Sequence, residues 1–523
     1  MAPPPADSNQ NEAEGRAQAS PPTGPLSPDL LYRRCDPTTL GFETTADIEP
    51  LDGVIGQPRA VAAVEFGIDI RRPGYNIFAL GPPGTGKHSM ILDFLHGAAA
   101  NRDVPDDWCY VQNFDEPHKP RALRLPNGRA TVLRDDMVQL VDELRAAIPA
   151  AFDSDDYRSR RELIESDYKH RNQQAFGSLQ EEAKANGIAI VPTQQGIGFA
   201  PMEEGEVIKP EVFNELSEEK REAYRKKVEG YQERLEVIMR QAGAWEREAR
   251  QRLRELNRDV TSRAAADLVF TLQDKYHDLP HVHAYLEDVR DDVVKSAFDF
   301  LRASADQMTP GQGAAQASGQ NVQNLVSGSN ELVGGDEPAS FRRYHVNVIV
   351  HNRAGKGAPV VLEDPPGLTN LLGRVEHGQK FGALVTDFTF IKPGALHRAN
   401  GGYLVVDARK VLMQPFAYEA LKRMLTTGEI RIESGQQLAG ASQISTLEPE
   451  PIPLDIKVVM VGDAMLYYLL AAQDPDFTQL FKVQAEFEDR MALTSENIDL
   501  YARLIATLAQ SENLCPLEAG AVA

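Results

Sequence analysis

Cysteine and tryptophan are scarce in this 523-residue sequence, which contains 3 Cys and 2 Trp. Cys35, Cys109 and Cys515 lie far apart and have no histidine at ligand spacing, so neither a disulfide framework nor a zinc site is expected. Such cysteines are typical of reduced thiols in a cytoplasmic protein, and that is the location we expect.

Long hydrophobic runs are also missing. No stretch approaches the ~18 apolar residues of a membrane-spanning helix, and the N-terminus lacks the apolar segment of a secretory signal. Positive charge is in deficit too, because 55 Lys and Arg face 77 Asp and Glu, which gives a net charge of −22. Phosphate contacts require Lys and Arg, so nucleic acid is not expected as the main partner. No membrane partner is expected either.

One glycine-rich segment matches the phosphate-binding loop G-x-x-x-x-G-K-[ST] at all but the last position. The segment consists of Gly81, Pro82, Pro83, Gly84, Thr85, Gly86, Lys87 and His88. An apolar run precedes it and a helical pattern follows, which is the strand–loop–helix context of such loops. Backbone N–H groups and the lysine would bind the phosphates of ATP.

The last position of this loop is unusual. His88 replaces the Ser or Thr hydroxyl that normally binds Mg²⁺, and Ser89 lies one position too late to be a certain substitute. The loop therefore predicts ATP binding more strongly than ATP hydrolysis.

A second half of the site is expected after two apolar strands further along the chain. Asp407 follows one of them and is the candidate to hold Mg²⁺, directly or through water. Asp463 follows the other, where it could sense the terminal phosphate or cap the next helix. Both interpretations of Asp463 stay open from the sequence.

Residues 151–305 differ in character, being highly charged and helical in period. From Tyr224 to Val260 apolar residues recur every three or four positions, which predicts a heptad seam and a long helix. An earlier helix near Asp155–Lys184 could pair with it as a hairpin, with two short strands at the tip. The alternative is a helical domain packed on the core.

Several segments resemble the Lon-related family of ATP-dependent AAA+ proteases. They are Asn370–Glu376, Gly382–Thr389, Pro393–Leu404 and Phe481–Phe487. The resemblance implies an α/β fold, in which an AAA+ P-loop core with a parallel sheet and flanking helices is interrupted by a long helical coiled-coil insertion. It also implies protein substrates and a homo-oligomeric ring. Arg490 resembles an arginine finger that reaches a neighbour's nucleotide, although it could be a surface ion-pair residue.

These observations give an expected domain organisation in six parts. They are a disordered tail (1–27), the first part of the AAA+ core (28–150), the helical insertion (151–305), a flexible linker (306–338), the second part of the core with Walker B and sensor (339–499) and the start of a truncated lid (500–523).

The sequence departs from the family pattern at three points. His88 is the first. Ala408 is the second, because it follows Asp407 where AAA+ enzymes usually have a glutamate that orients water. The third is that no convincing Ser-Lys proteolytic dyad is found before Ala523. We expect a truncated or split member or a fragment, with a protease domain in a separate or missing segment and no peptide-bond cleavage by this chain alone.

Two functions follow. The first is an ATP-binding AAA+ module of a Lon-like ATP-dependent serine protease, which engages protein substrates for unfolding and delivery. Its candidate catalytic residues are Asp407, Asp463 and Arg490, with Asp463 or His88 available to orient water. The alternative is a nucleotide-binding scaffold or adaptor without hydrolysis, which His88 and Ala408 favour.

Overall fold

The computed structural model describes residues 25, 35–51, 55–193, 196–203, 206–208, 213–214, 216–308, 340–353, 355–380, 383–433 and 447–523. The predicted tail and linker lie almost entirely outside these residues. The helices are α1 Pro58–Asp69, α2 Lys87–Ala100, α3 Arg129–Phe152, α4 Asp155–Ala185, α5 Glu218–Lys275, α6 Pro280–Lys295, α7 Ala297–Met308, α8 Leu368–Leu372, α9 Ala395–Arg398, α10 Ala408–Met413, α11 Ala417–Thr427, α12 Ala464–Gln473, α13 Phe477–Leu480, α14 Ser495–Ser511 and α15 Ala519–Val522. The strands are β1 Ile77–Leu80, β2 Asp107–Val111, β3 Arg121–Leu125, β4 Ile188–Thr193, β5 Gly196–Glu203, β6 Glu206–Val207, β7 Asn347–Val350, β8 Val360–Glu363, β9 Arg374–Val375, β10 Gly378–Lys380, β11 Ala383–Val385, β12 Ile391–Lys392, β13 Tyr403–Asp407, β14 Glu429–Ile430, β15 Ile452–Pro453, β16 Lys457–Gly462 and β17 Val483–Glu486.

The core is a five-stranded sheet in the order β17-β1-β16-β13-β8, and every neighbouring pair is parallel. Strand β1 is entirely apolar and buried, as expected for a strand covered on both faces. One face packs against α1 and α2, and the other packs mainly against helices of the second half of the chain. The α/β fold with a parallel sheet and flanking helices is confirmed.

This strand order determines where the site lies. The carboxyl ends of parallel strands meet at one edge of the sheet, and ligands bind outside that edge. Strand β1 lies between β17 and β16, and β13 lies next to β16. The glycine-rich loop after β1 therefore neighbours the residues that follow β16 and β17, with those after β13 one strand further away.

Between β1 and β8 the chain forms a second unit with its own core. An antiparallel sheet in the order β3-β2-β7 packs with α3, α6, α7 and the C-terminal part of α5 around apolar residues such as Leu133, Val269, Tyr285 and Phe300. This base of the insertion includes residues on both sides of the predicted segment 151–305. The predicted domain boundaries themselves stay a prediction.

The buried carboxylate of Asp107 lies where the insertion starts and ends. It accepts hydrogen bonds from the backbone N–H of Asn352 (2.7 Å) and of Ala130 (3.2 Å). The Asn352 side chain in turn donates to the carbonyls of Pro105 and Asp106, both at 3.1 Å. The first residue of β2 is thereby joined to α3 and to the segment after β7.

Helices α4 and α5 form an antiparallel hairpin. Tyr157 donates to Asn257 (3.0 Å) near the base, and Asn186 donates to Tyr231 (2.8 Å) near the tip, where β4 and β5 pair. The helical insertion is confirmed, although α5 extends beyond the predicted seam at both ends to 58 residues. Its C-terminal part continues into the base of the insertion. The coiled-coil character of the seam stays a prediction.

Within the described ranges, no helix is both long and apolar enough to cross a bilayer. The longest, α5, is strongly charged along its length.

Leu235 provides a test of the hairpin seam. Its side chain is buried at the tip against Leu179 and Ile188. We expect Leu235→Asp to unfold the tip, because a buried carboxylate without a partner costs about 3 kcal/mol or more. Hydrogen exchange should accelerate in α4 and α5 but not in β1. Val237→Asp, two residues further along and 42% exposed, is the control, and unchanged tip protection in Leu235→Asp would contradict the pairing.

Asp107→Ala tests the junction. The substitution leaves two N–H donors without their acceptor in the interior, so the free energy of unfolding should fall by about 2–4 kcal/mol. Denaturant unfolding measures it. Asp103→Ala, at an exposed position four residues earlier, should change it little, and equal unfolding midpoints for the two variants would refute the role of Asp107.

Candidate nucleotide-binding site

The loop between β1 and α2 adopts a conformation that requires glycine. Gly84 and Gly86 have φ of +85° and +72°, in the left-handed region where other residues are strained. A Cβ on Gly81 would lie 2.7 Å from the Cβ of Phe487. The glycines therefore allow the backbone to curl over the end of β1 and stay close to the segment after β17.

The first turn of α2 presents backbone donors to this loop. The first N–H groups of a helix have no acceptor within it, and Gly86, the N-cap of this 14-residue helix, has no side chain to supply one. A Cβ at Gly84 or Gly86 would meet nothing within 4 Å, so the loop faces open space. Together with the helix dipole, this arrangement fits a phosphate group.

Lys87 adds the positive charge of the loop. Its side chain is buried, and the ammonium donates to the carbonyl oxygens of Gly81 and of Pro82, the latter at 3.2 Å. Burial lowers the pKa of Lys87, while the charges of Asp463 and Asp407 act in the opposite direction. The ammonium thus contacts two neutral carbonyls. A bound phosphate would replace them with a charged acceptor.

Asp407 and Asp463 both begin a helix at this edge of the sheet. Asp407 accepts from the N–H of Lys410 (2.9 Å) at the start of α10, and Asp463 accepts from the N–H of Leu466 (2.8 Å) at the start of α12. The bond from Leu466 is the main reason that the pKa of Asp463 is lowered. Asp463 is therefore a helix cap, and its second oxygen accepts from Arg409 at 3.2 Å.

His88 occupies the loop position at which a Ser or Thr hydroxyl usually binds Mg²⁺. His88 and Ser89 are exposed on the first turn of α2, while Thr85 donates its hydroxyl to the carbonyl of Pro82 at 3.1 Å. Among the described residues no group of three or more His, Cys, Asp or Glu side chains could hold a metal ion. A Mg²⁺ ion at this edge would therefore be held mainly by nucleotide phosphates and water, with Asp407 as the candidate protein carboxylate.

Arg490 borders the same cleft. The cleft has a volume of about 690 Å³ and is lined by residues 80–82, 463–465 and 486–490. The Arg490 side chain is 92% exposed, and its closest carboxylate is Asp489 at 3.8 Å. Its predicted role at a neighbouring copy's nucleotide stays a prediction, as does the alternative of a surface ion pair.

Two contributors to the site escaped the sequence analysis. Gln57, the N-cap residue of α1, exchanges two hydrogen bonds of 2.9 Å with the backbone of Glu488 and so holds the segment after β17 that lines the cleft. In the sequence, its position directly before a proline that begins a helix is the only indication of this role. The second contributor is Arg409, which follows Ala408. Its partner Asp463 lies 54 residues away in the sequence.

The parallel sheet, the glycine-rich loop after β1 and the acidic residues after β13 and β16 define a P-loop protein of the AAA+ class. The family model described as "LonB-like, AAA domain" matches residues 356–488, and "Lon-like LonC helical domain" matches residues 107–140. Over these residues the chain is similar to Lon-related proteins. Its AAA domain implies nucleotide binding, generally with Mg²⁺.

Among curated proteins, the "Putative Lon protease homolog" of Escherichia coli (strain K12) is 25% identical over 199 residues. The match covers 37% of this chain and only 31% of that protein. Among solved structures, NtrX from Brucella abortus matches 29% of this chain and 32% of its own at 16% identity, with a TM-score of 0.19. A TM-score this low carries no argument.

Lys87→Met tests nucleotide binding. It removes the ammonium but retains a long apolar stem in the buried position. Charge-assisted contacts of this kind contribute about 1.5–3 kcal/mol, so affinity for ATP should fall roughly 10- to 100-fold. Titration calorimetry measures the change, with Lys119→Met, whose side chain is half-exposed, as the control. Equal affinities of Lys87→Met and the unaltered chain would refute the assignment.

Proposed function

We propose that this chain binds Mg·ATP at the loop of residues 81–88 and acts as the AAA+ module of a Lon-like ATP-dependent serine protease. In this role it engages protein substrates for unfolding and delivery to a protease domain. The observation that carries the proposal is the arrangement of Lys87 and the left-handed glycines at the sheet edge that also holds Asp407 and Asp463.

In this function each residue of the site has a separate role. Lys87 and the first N–H groups of α2 bind the β- and γ-phosphates, and Asp407 orients the ion that accompanies them. Mg²⁺ supplies charge neutralisation when bound. Ala408 has no group to orient a water molecule, so we assign this role to the carboxylate of Asp463. Arg490 of an adjacent copy in a ring would add positive charge.

The helical hairpin supports contact with proteins. At 1.5 Å per residue the 58-residue helix α5 is about 87 Å long. The tip of the hairpin, between its two charged helices, carries exposed apolar side chains such as Ile197 (49% exposed) and Val207 (46% exposed). We propose that this tip contacts protein substrates or partners. A spacer without a binding role is the alternative.

A second function is a nucleotide-binding scaffold that does not hydrolyse ATP. Exposed His88 and buried Ala408 favour it, because each occupies a position where AAA+ ATPases use a polar group of a different kind. Steady-state phosphate release separates the two functions. Release that exceeds that of Lys87→Met, and increases with an unfolded protein such as casein, supports the unfolding module. Release equal to that of Lys87→Met supports the scaffold.

His88→Ser tests whether the histidine limits hydrolysis. A serine hydroxyl would supply the missing Mg²⁺ ligand, so Mg·ATP should bind more tightly or phosphate release should rise. Binding titrations with and without Mg²⁺ and a phosphate-release assay measure both quantities. His96→Ser, at an exposed position of the same helix, is the control. If both quantities stay unchanged or fall, the view of His88 as a deficiency is wrong.

A further inference from the structure

Arg409 lies at the nucleotide edge of the sheet in an unusual setting. It is the second residue of α10, directly after Ala408, and its side chain is 70% exposed. Its guanidinium donates to Oδ2 of Asp463 at 3.2 Å, while Oδ1 of Asp463 is occupied by the N–H of Leu466. The ion pair thus connects the ends of the adjacent strands β13 and β16.

The two carboxylates at the strand ends are each matched by a cation without a ligand. Lys87 and Arg409 supply the positive charges nearest to Asp407 and Asp463, and both acids influence Lys87. The edge also carries Lys410, and the cleft beside it carries Glu486, Glu488, Asp489 and Arg490. An incoming triphosphate adds several negative charges beside the two carboxylates. Lys87, the loop N–H groups and Mg²⁺ offset part of this charge, and a further cationic group nearby would add to the stabilisation of the nucleotide.

Arg409 can supply that charge at little cost. An ion pair between exposed side chains stabilises by only about 0–1 kcal/mol, so the contact with Asp463 is easily exchanged. A guanidinium binds phosphate oxygens in a two-pronged geometry that a single hydrogen bond to a carboxylate does not match. The exchange needs only a reorientation of an exposed side chain.

The direction of the phosphate chain favours the terminal phosphate as the acceptor. The loop and Lys87 follow β1, and β16 with Asp463 lies between β1 and the strand that carries Arg409. A phosphate chain anchored at the start of α2 and extending along this edge approaches Arg409 with its last phosphate. A diphosphate anchored at the same point ends one phosphate earlier.

We propose that Arg409 is a ligand of the terminal phosphate of ATP, which it binds in exchange for Asp463, and that it makes the site selective for ATP over ADP. The proposal rests on the nucleotide binding proposed above. The exchange also releases Oδ2 of Asp463, which then lies free to hold a water molecule near the terminal phosphate. This role would compensate for Ala408.

The first experiment compares nucleotides on the full chain by titration calorimetry with Mg²⁺, using ADP and the non-hydrolysable analogue AMP-PNP. Arg409→Ala should weaken AMP-PNP binding roughly 10- to 100-fold and ADP binding less than twofold or so. Arg409→Lys should give an intermediate loss for AMP-PNP, because it keeps the charge but not the planar fork. Arg431→Ala, which removes another exposed arginine paired with a glutamate, is the matched control.

Asp463→Asn tests the exchange itself. Asparagine caps a helix about as well as aspartate but does not hold the guanidinium by charge. AMP-PNP should therefore bind up to about fivefold more tightly, with a smaller gain for ADP. In the double variant Arg409→Ala/Asp463→Asn the extra gain for AMP-PNP should vanish, which a double-mutant cycle detects.

The outcomes are separable. Equal losses for both nucleotides in Arg409→Ala, or no loss for AMP-PNP, would show that Arg409 only ties β13 to β16 and would overturn the inference while nucleotide binding stands. An undiminished gain for AMP-PNP in the double variant would overturn the exchange with Asp463. Absence of binding of either nucleotide to the unaltered chain would remove the proposed function and this inference together.

Discussion

The hydrogen bonds of the buried Asp107 carboxylate hold together two segments that lie 245 residues apart. Because β2 and the end of β7 are fixed to each other there, the insertion leaves the core and returns to it at one place. Strand β8, the first strand of the core sheet after the insertion, can then pair in parallel with β13. The edge that carries Lys87, Asp407 and Asp463 depends on this closure, since it requires β1 and β13 in one sheet.

Local patterns were sufficient to predict much of this structure. The loop of residues 81–88, the strands that precede Asp407 and Asp463, and the long charged helices all have short-range periodicity or fixed spacing. The Gln57–Glu488 and Arg409–Asp463 contacts were not predictable, because their partners are distant in sequence and become neighbours only through the strand order. The full length of α5 was missed for a related reason, since its last turns are stabilised by packing against the base of the insertion.

Helix capping and phosphate chemistry share the same side chains at the sheet edge. Asp407 and Asp463 each use one oxygen to begin a helix, which fixes the carboxylate in place and leaves the other oxygen for ions or cations. In a chain with a net charge of −22, a tetraanionic nucleotide is attracted only by such local arrangements. In the proposed function, cations at this edge such as Lys87 and Arg409 would therefore supply much of the attraction for the nucleotide.

The length of α5 has a mechanical consequence. The C-terminal turns of α5 are buried in the base of the insertion from about Thr261 onward, so the remaining part of the helix extends roughly 64 Å away from that base. A tilt of about 5° at the base would displace the far end by about 6 Å, which is just under two residues of extended chain. A small change in orientation at the base would thus become a larger displacement at the hairpin tip, without any change within the helix itself.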